Sequence, residues 1–456
     1  MRIAIRVRTG AAKLVASLFP AIAGAAALAA CSADTSSQPP EDGGSEASDA
    51  YSSPEAMALV DSTATDSPAS DSAAGETGGQ PDGPGAFEAG PGDAADGGGS
   101  GDAADGGVSG DAADDGALGD AADGGCAPED GGLPDDLRCT GLYSDWATRA
   151  IAADVHYYDP GYKLWSDGAV KRRWIWLPPQ TQIDTSDMDE WVFPVGTKIW
   201  KEFSLGSQLG SDGQLTGGEL VETRLLWKRG ASTWAYAVYR WSDDQSSAQS
   251  ITNGDQVPQP DGPPAYEVPA IIQCPNCHGG RRDIVLGFDW IGLGVATAGA
   301  TGGLTLATLP SGWLTQPPPA TAVEIPEDAT EKAAPALGLL HMNCGVTCHN
   351  VNGKAGYTGL YMKLLAGQVY PEGGTASVTD LDTYTTAVNV VGQLNFGTYK
   401  RIAPGDSANS LVPLMALARG PDAGAFLPMP PILSHRPDTD PTTGVPLVQA
   451  WIDALQ

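Results

Sequence analysis

Apolar and polar residues alternate along Thr233-Trp234-Ala235-Tyr236-Ala237-Val238-Tyr239-Arg240-Trp241 and along Arg173-Trp174-Ile175-Trp176-Leu177. A period of two sends successive side chains to opposite faces of a pleated strand, so both stretches predict half-buried β-structure. Further strands fit Lys198 to Phe203 and Val221 to Lys228, with Pro, Gly and Asp turns between them. Nine of the chain's 12 tryptophans fall between residues 137 and 265, as suits half-buried pleated surface. These signals predict a β-sandwich-like domain of two packed sheets. Its rings read as aromatic core before they read as a platform for stacking sugars.

From about residue 266 the strand period fades. A helix is expected over Ala333 to Cys348, and another over Ser407 to Ala418 with Ser407 or Asp406 as its cap. The last runs from Pro446 to Leu455, where Val448, Trp451, Ile452 and Leu455 share one face. The fold class expected is therefore multi-domain α+β.

Upstream, residues 32–125 show neither period. They are Gly, Ala, Ser and Asp with few large apolar side chains, which cannot offset the entropy of ordering. The unit Gly-Asp-Ala-Ala-Asp begins at Gly92, Gly101, Gly110 and Gly119. Such Asp/Gly repeats of nine can build calcium-binding rolls, but these lack a regular apolar position to fill one. A disordered acidic linker over 32–136 is the expectation.

The first 31 residues carry the parts of an export signal: basic Arg2, Arg6, Arg8 and Lys13, then an apolar run from Leu14 to Ala30. Leu28-Ala29-Ala30-Cys31 resembles the lipobox of bacterial lipoproteins. That resemblance implies cleavage before Cys31, lipidation of its thiol, and, with Ser32 next, an outer-membrane address. No later segment approaches the ~20 apolar residues that span a bilayer. The expected location is the cell envelope, with the membrane reached through lipid.

The net charge is −31, and residues 32–125 contribute 21 acids and no Lys or Arg. After Cys126 stand 35 acids against 21 bases. Nucleic-acid binding needs basic surface, so it is not expected. Apart from Cys31, six cysteines remain, which in an exported chain should be disulfides or cofactor linkages. Cys126 and Cys139 flank a short Pro/Gly-rich loop and are expected to pair.

The other four lie in two related motifs, Cys274-Pro275-Asn276-Cys277-His278 and Cys344-Gly345-Val346-Thr347-Cys348-His349. Cys-x-x-Cys-His is the spacing of covalent haem c attachment: two thiols bond the porphyrin and the adjacent imidazole ligates its iron. The rivals are a thiol redox pair, which lacks its βαβ setting, and a four-thiolate zinc ribbon, which would leave both histidines unused. The candidate iron ligands are His278 and His349. Met429, in the Pro-bracketed Leu427-Pro428-Met429-Pro430-Pro431, is the expected sixth ligand of the second haem, ahead of Met415. His341 either ligates the first haem or is a helix histidine hydrogen-bonded nearby; failing it, that haem's sixth position is open.

The segments LWSDGAVKRRWIWLP (164–178), WVFPVGTKIWKEF (191–203) and VETRLLWKR (221–229) resemble a family of exported bacterial di-haem c-type cytochromes. So do QCPNCHGG (273–280), LGFDW (286–290), LHMNCGVTCHN (340–350), APGDSANS (403–410) and LPMPP (427–431). The resemblance covers nearly all of 140–456. It implies a β domain fused to haem modules, with Cys274, Cys277 and His278 holding one haem and Cys344, Cys348 and His349 the other. The family's second motif more often has two residues between its cysteines; this chain has three. The domain order expected is then a β-rich part at 137–265, the first haem segment at 266–325 and a mostly helical, cytochrome c-like part at 326–456. The function expected is electron transfer with a redox partner protein. A haem enzyme of peroxidase or oxidase type and a zinc-stabilised binding module are the alternatives.

Overall fold

In the computed structural model, the described residues are 126, 132–393, 396–420, 424 and 426–456. The expected export signal, the expected lipidation site Cys31 and the expected linker over 32–125 lie outside them.

The strands are β1 (Tyr143–Asp145), β2 (Ala150–Ile151), β3 (His156–Tyr157), β4 (Val170–Trp176), β5 (Lys198–Leu205), β6 (Gln208–Leu209), β7 (Leu215–Thr216), β8 (Glu219–Lys228), β9 (Trp234–Trp241), β10 (Ala248–Ile251), β11 (Asp255–Val257) and β12 (Tyr266–Val268). Six of them form one sheet in the order β10-β9-β8-β5-β4-β3, with every neighbouring pair antiparallel. The other strands pair off as two-stranded ribbons. The α+β class holds, but the two-sheet expectation does not. The second face of the sheet is covered by the irregular segment preceding it, whose Leu137, Leu142, Tyr143 and Val155 pack on Trp174, Trp200, Tyr239 and Trp241. Alternation in the sequence reports one buried face and cannot say what buries it.

That covering begins before residue 137. The Pro134 carbonyl accepts a hydrogen bond from Tyr239 Oη at 2.8 Å, and Asp136 caps the short turn Leu137–Thr140. Residues 132–136, assigned to the linker from composition, are thus part of the folded unit. Cys126 and Cys139 are joined as a disulfide with Cα atoms 5.2 Å apart.

Across the sheet's other face, register builds three rows of side chains: Ile175, Ile199, Leu226 and Tyr236; then Arg173, Lys201, Arg224 and Val238; then Lys171, Phe203 and Glu222. The first row joins a core that continues through Phe193, Phe288 and Ile291 to Leu337, Val448 and Trp451. The core therefore runs across the boundaries expected at 265 and 325. Strands and helices thus share one buried core.

The helices are short: α1 (Cys274–His278), α2 (Trp290–Gly294), α3 (Ala333–Leu340), α4 (Ala366–Val369), α5 (Asp382–Ala387), α6 (Leu411–Leu417) and α7 (Val445–Ala454). The terminal helix buries Val448, Trp451 and Ile452, the face foreseen from spacing, against α3. Asp406 accepts from the Asn409 amide, capping the turn that leads toward α6. The helix expected to reach Cys348 stops at Leu340 and passes into a wider π-type turn over His341–Gly345. Among the described residues, no helix is long and apolar enough to cross a membrane.

Candidate functional site

The first motif is a single helical turn. Pro275 suits the start of α1, where its missing N–H is not needed. At its end His278 is 6% exposed, and its Nδ1 lies 2.7 Å from the Ile284 carbonyl. A carbonyl only accepts, so Nδ1 carries the proton and Nε2 presents a lone pair. Nε2 faces Lys201 Nζ at 3.2 Å. Burial first, and then the Lys201 charge, push this imidazole well below its ordinary value.

Lys201 itself is lowered to about 7 by burial and by the charges of Arg173 and Arg224. These three neighbours and Lys171 face a cleft of about 1320 Å³ of empty volume, its mouth included, which Cys274, Cys277 and His278 also line. Among the described residues, Arg224 alone of these four has a carboxylate partner, Glu222 at 2.5 Å. Lys171 bonds Ser166 Oγ at 3.0 Å, and Arg173 Nη1 is buried with no hydrogen bond. Cations taken out of water cost several kcal/mol each unless compensated, so the cleft is built for electron-rich groups.

The second motif follows the π-type turn. The His349 amide bonds the Cys344 carbonyl at 2.8 Å, five residues back, while Cys348 reaches the same carbonyl at 3.3 Å. A wide turn takes up the residue that makes this motif longer than the first. Asn350 Nδ2 ties it by bonding the Gly345 carbonyl at 2.8 Å. Cys344, Cys348 and His349 consequently line one cleft of about 1520 Å³, mouth included, with Leu339, Leu360, Phe396 and Val448 among its apolar walls. Burial lowers His349, and its Nδ1 is buried without a hydrogen bond among the described residues.

Met429 stands on the wall of this cleft, and so does Met415, which its helix had marked as core. The Met429 amide bonds the Met415 carbonyl at 2.9 Å, and Arg419 Nη2 bonds the Met429 carbonyl at 3.1 Å. The Pro-bracketed loop is thereby pinned to α6.

His341 lines neither cleft. Its Nδ1 accepts the Leu364 amide at 2.9 Å, so in the neutral ring Nε2 keeps the proton and has no lone pair for a metal. The sequence-based choice of His341 as an iron ligand does not survive this tautomer; it is the helix histidine of the alternative reading.

The two clefts are neighbours. Trp165, Asn343, Cys348 and Pro430 line both. A Cβ on Gly280, after the first motif, would stand 2.7 Å from the Thr347 carbonyl in the second. Lys354 Nζ bonds Asn276 Oδ1 at 2.6 Å.

The rival chemistries fit less well. Among the described residues no three of His, Cys, Asp or Glu gather as a metal set, which the four-thiolate zinc site requires. Burial raises all four thiols, Cys344 to about 12, whereas a redox thiol needs a lowered value. No protein-family model, no curated protein and no solved structure matches the chain.

Sequence reading missed Lys171, Arg173, Lys201 and Arg224 as lining residues, and Met342 beside them. Bases alternating on strands ordinarily mark the solvent face. The available signal was their position in three strands that register places side by side.

Proposed function

We propose that this chain is a di-haem c-type cytochrome that relays electrons at the cell envelope, anchored through a lipid on Cys31 and serving a redox partner protein. The observation that carries the reading is the pair of adjoining clefts, each lined by the two thiols and the imidazole of its own motif. Cys274 and Cys277 would tether one haem c, with His278 as its iron ligand. Cys344 and Cys348 would tether the other, with His349 and Met429 on its iron. Bound haem supplies the one-electron redox couple.

The chain's own residues do the remaining work. The Ile284 carbonyl holds His278 in the tautomer and orientation that free its Nε2. Arg419 and the Met415 carbonyl hold the Met429 loop. Apolar walls limit water at the second cleft, a condition that favours a raised reduction potential. The walls common to the two clefts, Trp165 among them, favour electron exchange between the sites.

The test is haem counting. Protein exported from a host with cytochrome assembly machinery should give two covalent haems per chain by pyridine haemochrome. Replacing His278 and both its cysteines, or the corresponding second set, should each leave one. A colourless product from such a host would reject the reading.

A further inference from the structure

Lys201 is left unused by the relay just described. It stands on β5 between Arg173 and Arg224 of the flanking strands and is 7% exposed. Among the described residues it has no carboxylate partner; Glu222 is held by Arg224 and by Tyr266 Oη. What Lys201 Nζ meets is His278 Nε2, at 3.2 Å. The Ile284 carbonyl sets the direction of that nitrogen, and it is the one the proposed haem would use.

Resting on the haem reading, we infer that Lys201 supplies the sixth ligand of the first haem, with its amine opposite His278. Metal–nitrogen bonds of about 2 Å on either side of one ion set the two nitrogens about 4 Å apart. From 3.2 Å the two nitrogens would move apart by about 1 Å, and the porphyrin would have to lie between the two side chains, in the cleft that both line. The amine binds through its lone pair; as the nitrogen–iron bond forms, the ammonium gives up one proton to solvent. No electron changes hands in that step. The first haem is then closed to small molecules, which favours electron transfer over peroxide or oxygen chemistry at this iron.

Met342 is the competing ligand, a buried thioether on the same cleft. The experiment compares wild type, Lys201→Ala, Lys201→Arg and Met342→Leu by pyridine haemochrome, ferric absorption and electron paramagnetic resonance. Arg keeps length and charge but stays protonated, so it cannot ligate; it covers the case in which Ala fails to fold. Wild type is expected to hold two low-spin haems, one with nitrogenous ligands only. Both Lys201 variants should keep two covalent haems while one turns high-spin and, once reduced, binds carbon monoxide. Met342→Leu should change neither spectrum.

A wild-type first haem that is already high-spin overturns the assignment, as does a low-spin signal unchanged in the Lys201 variants. Loss of a low-spin signal in Met342→Leu instead would assign the ligand to sulfur and overturn it too. Each of those results leaves the haem count, and so the cytochrome reading, standing. A count lacking the first haem in wild type overturns both together.

Discussion

Asp283→Ala tests the link between the sheet and the first motif. The Asp283 carboxylate pairs with Lys228 Nζ at 2.6 Å, both side chains 1% exposed. It also accepts the Trp234 indole N–H at 2.7 Å and the Phe193 amide at 2.7 Å. The next residue, Ile284, holds His278. Removing the carboxylate strands a buried ammonium, at a cost of about 3–5 kcal/mol. The two orphaned N–H donors add about 1–3 kcal/mol each at most, and less than additively because they share one acceptor. The expected loss is about 4–6 kcal/mol, a large share of the stability of a domain worth about 5–15 kcal/mol. Urea unfolding followed by tryptophan fluorescence measures it. The double variant Lys228→Met, Asp283→Leu should recover at least half of the loss, because packed apolar residues often replace a buried pair at no net cost. A loss below about 1 kcal/mol in the single variant, or a double variant no better than the single, would refute the coupling; both limits follow from the buried-pair energetics.

Three further outcomes follow from the second motif and its neighbours. Met429→Ala should lower the potential of one haem by on the order of 0.1 V, a fraction of the ~0.8 V that axial ligands span, and abolish its sulfur-to-iron charge-transfer band; if Met415→Leu does so instead, the ligand is Met415. Gly345→Ala should cost about 1–3 kcal/mol by overpacking, since its Cβ would lie 2.4 Å from the Met362 carbonyl and the Lys363 amide; an unchanged urea midpoint would contradict that contact. Burial holds His341 at about 4, below about 6.5 in an unfolded chain. As pH falls the unfolded chain binds that proton first, so stability contributed by the neutral ring is intact above about 6.5 and declines by about 1.4 kcal/mol per unit down to about 4. His341→Gln, which can still accept the Leu364 amide, should flatten that slope; coincident slopes would show that His341 is not the group responsible.

The strands and the terminal helix were legible because each is a local pattern with one buried face. Trp174, Trp200 and Trp241 are buried as aromatic core, and Val448, Trp451 and Ile452 face inward as spacing foretold. The missing second sheet was not legible, because Trp200 and Leu225 carry the same apolar character whether a sheet or a loop segment covers them. The six motif residues were readable as two local signatures, but their juxtaposition was not. Cys277 and Cys348 are 71 positions apart, and packing at Gly280, Asn276 and Lys354 helps bring their turns together. Lys201 was least legible of all, since a single lysine in a strand carries no mark of burial.

The longer second motif shows how local backbone can absorb a change that the linear pattern marks as a departure. A thiol pair with three residues between would, in a regular α-helix, point its members differently from a pair with two, because each residue turns the chain by about 100°. Here the helix has already widened at His341–Gly345. The His349 amide continues that geometry by reaching back five residues rather than four. Both thiols and the imidazole then open on one cleft, with Met429 and Met415 on its wall. The insertion is matched by a turn of larger ring, so spacing alone does not disqualify the second site. Closing the motif to two intervening residues by deleting Val346 should therefore harm it, because the Val346 amide closes the π-type turn by bonding the His341 carbonyl at 2.8 Å, five residues back. If that deletion preserved two covalent haems and the wild-type urea midpoint, the widened turn would be incidental to holding the site.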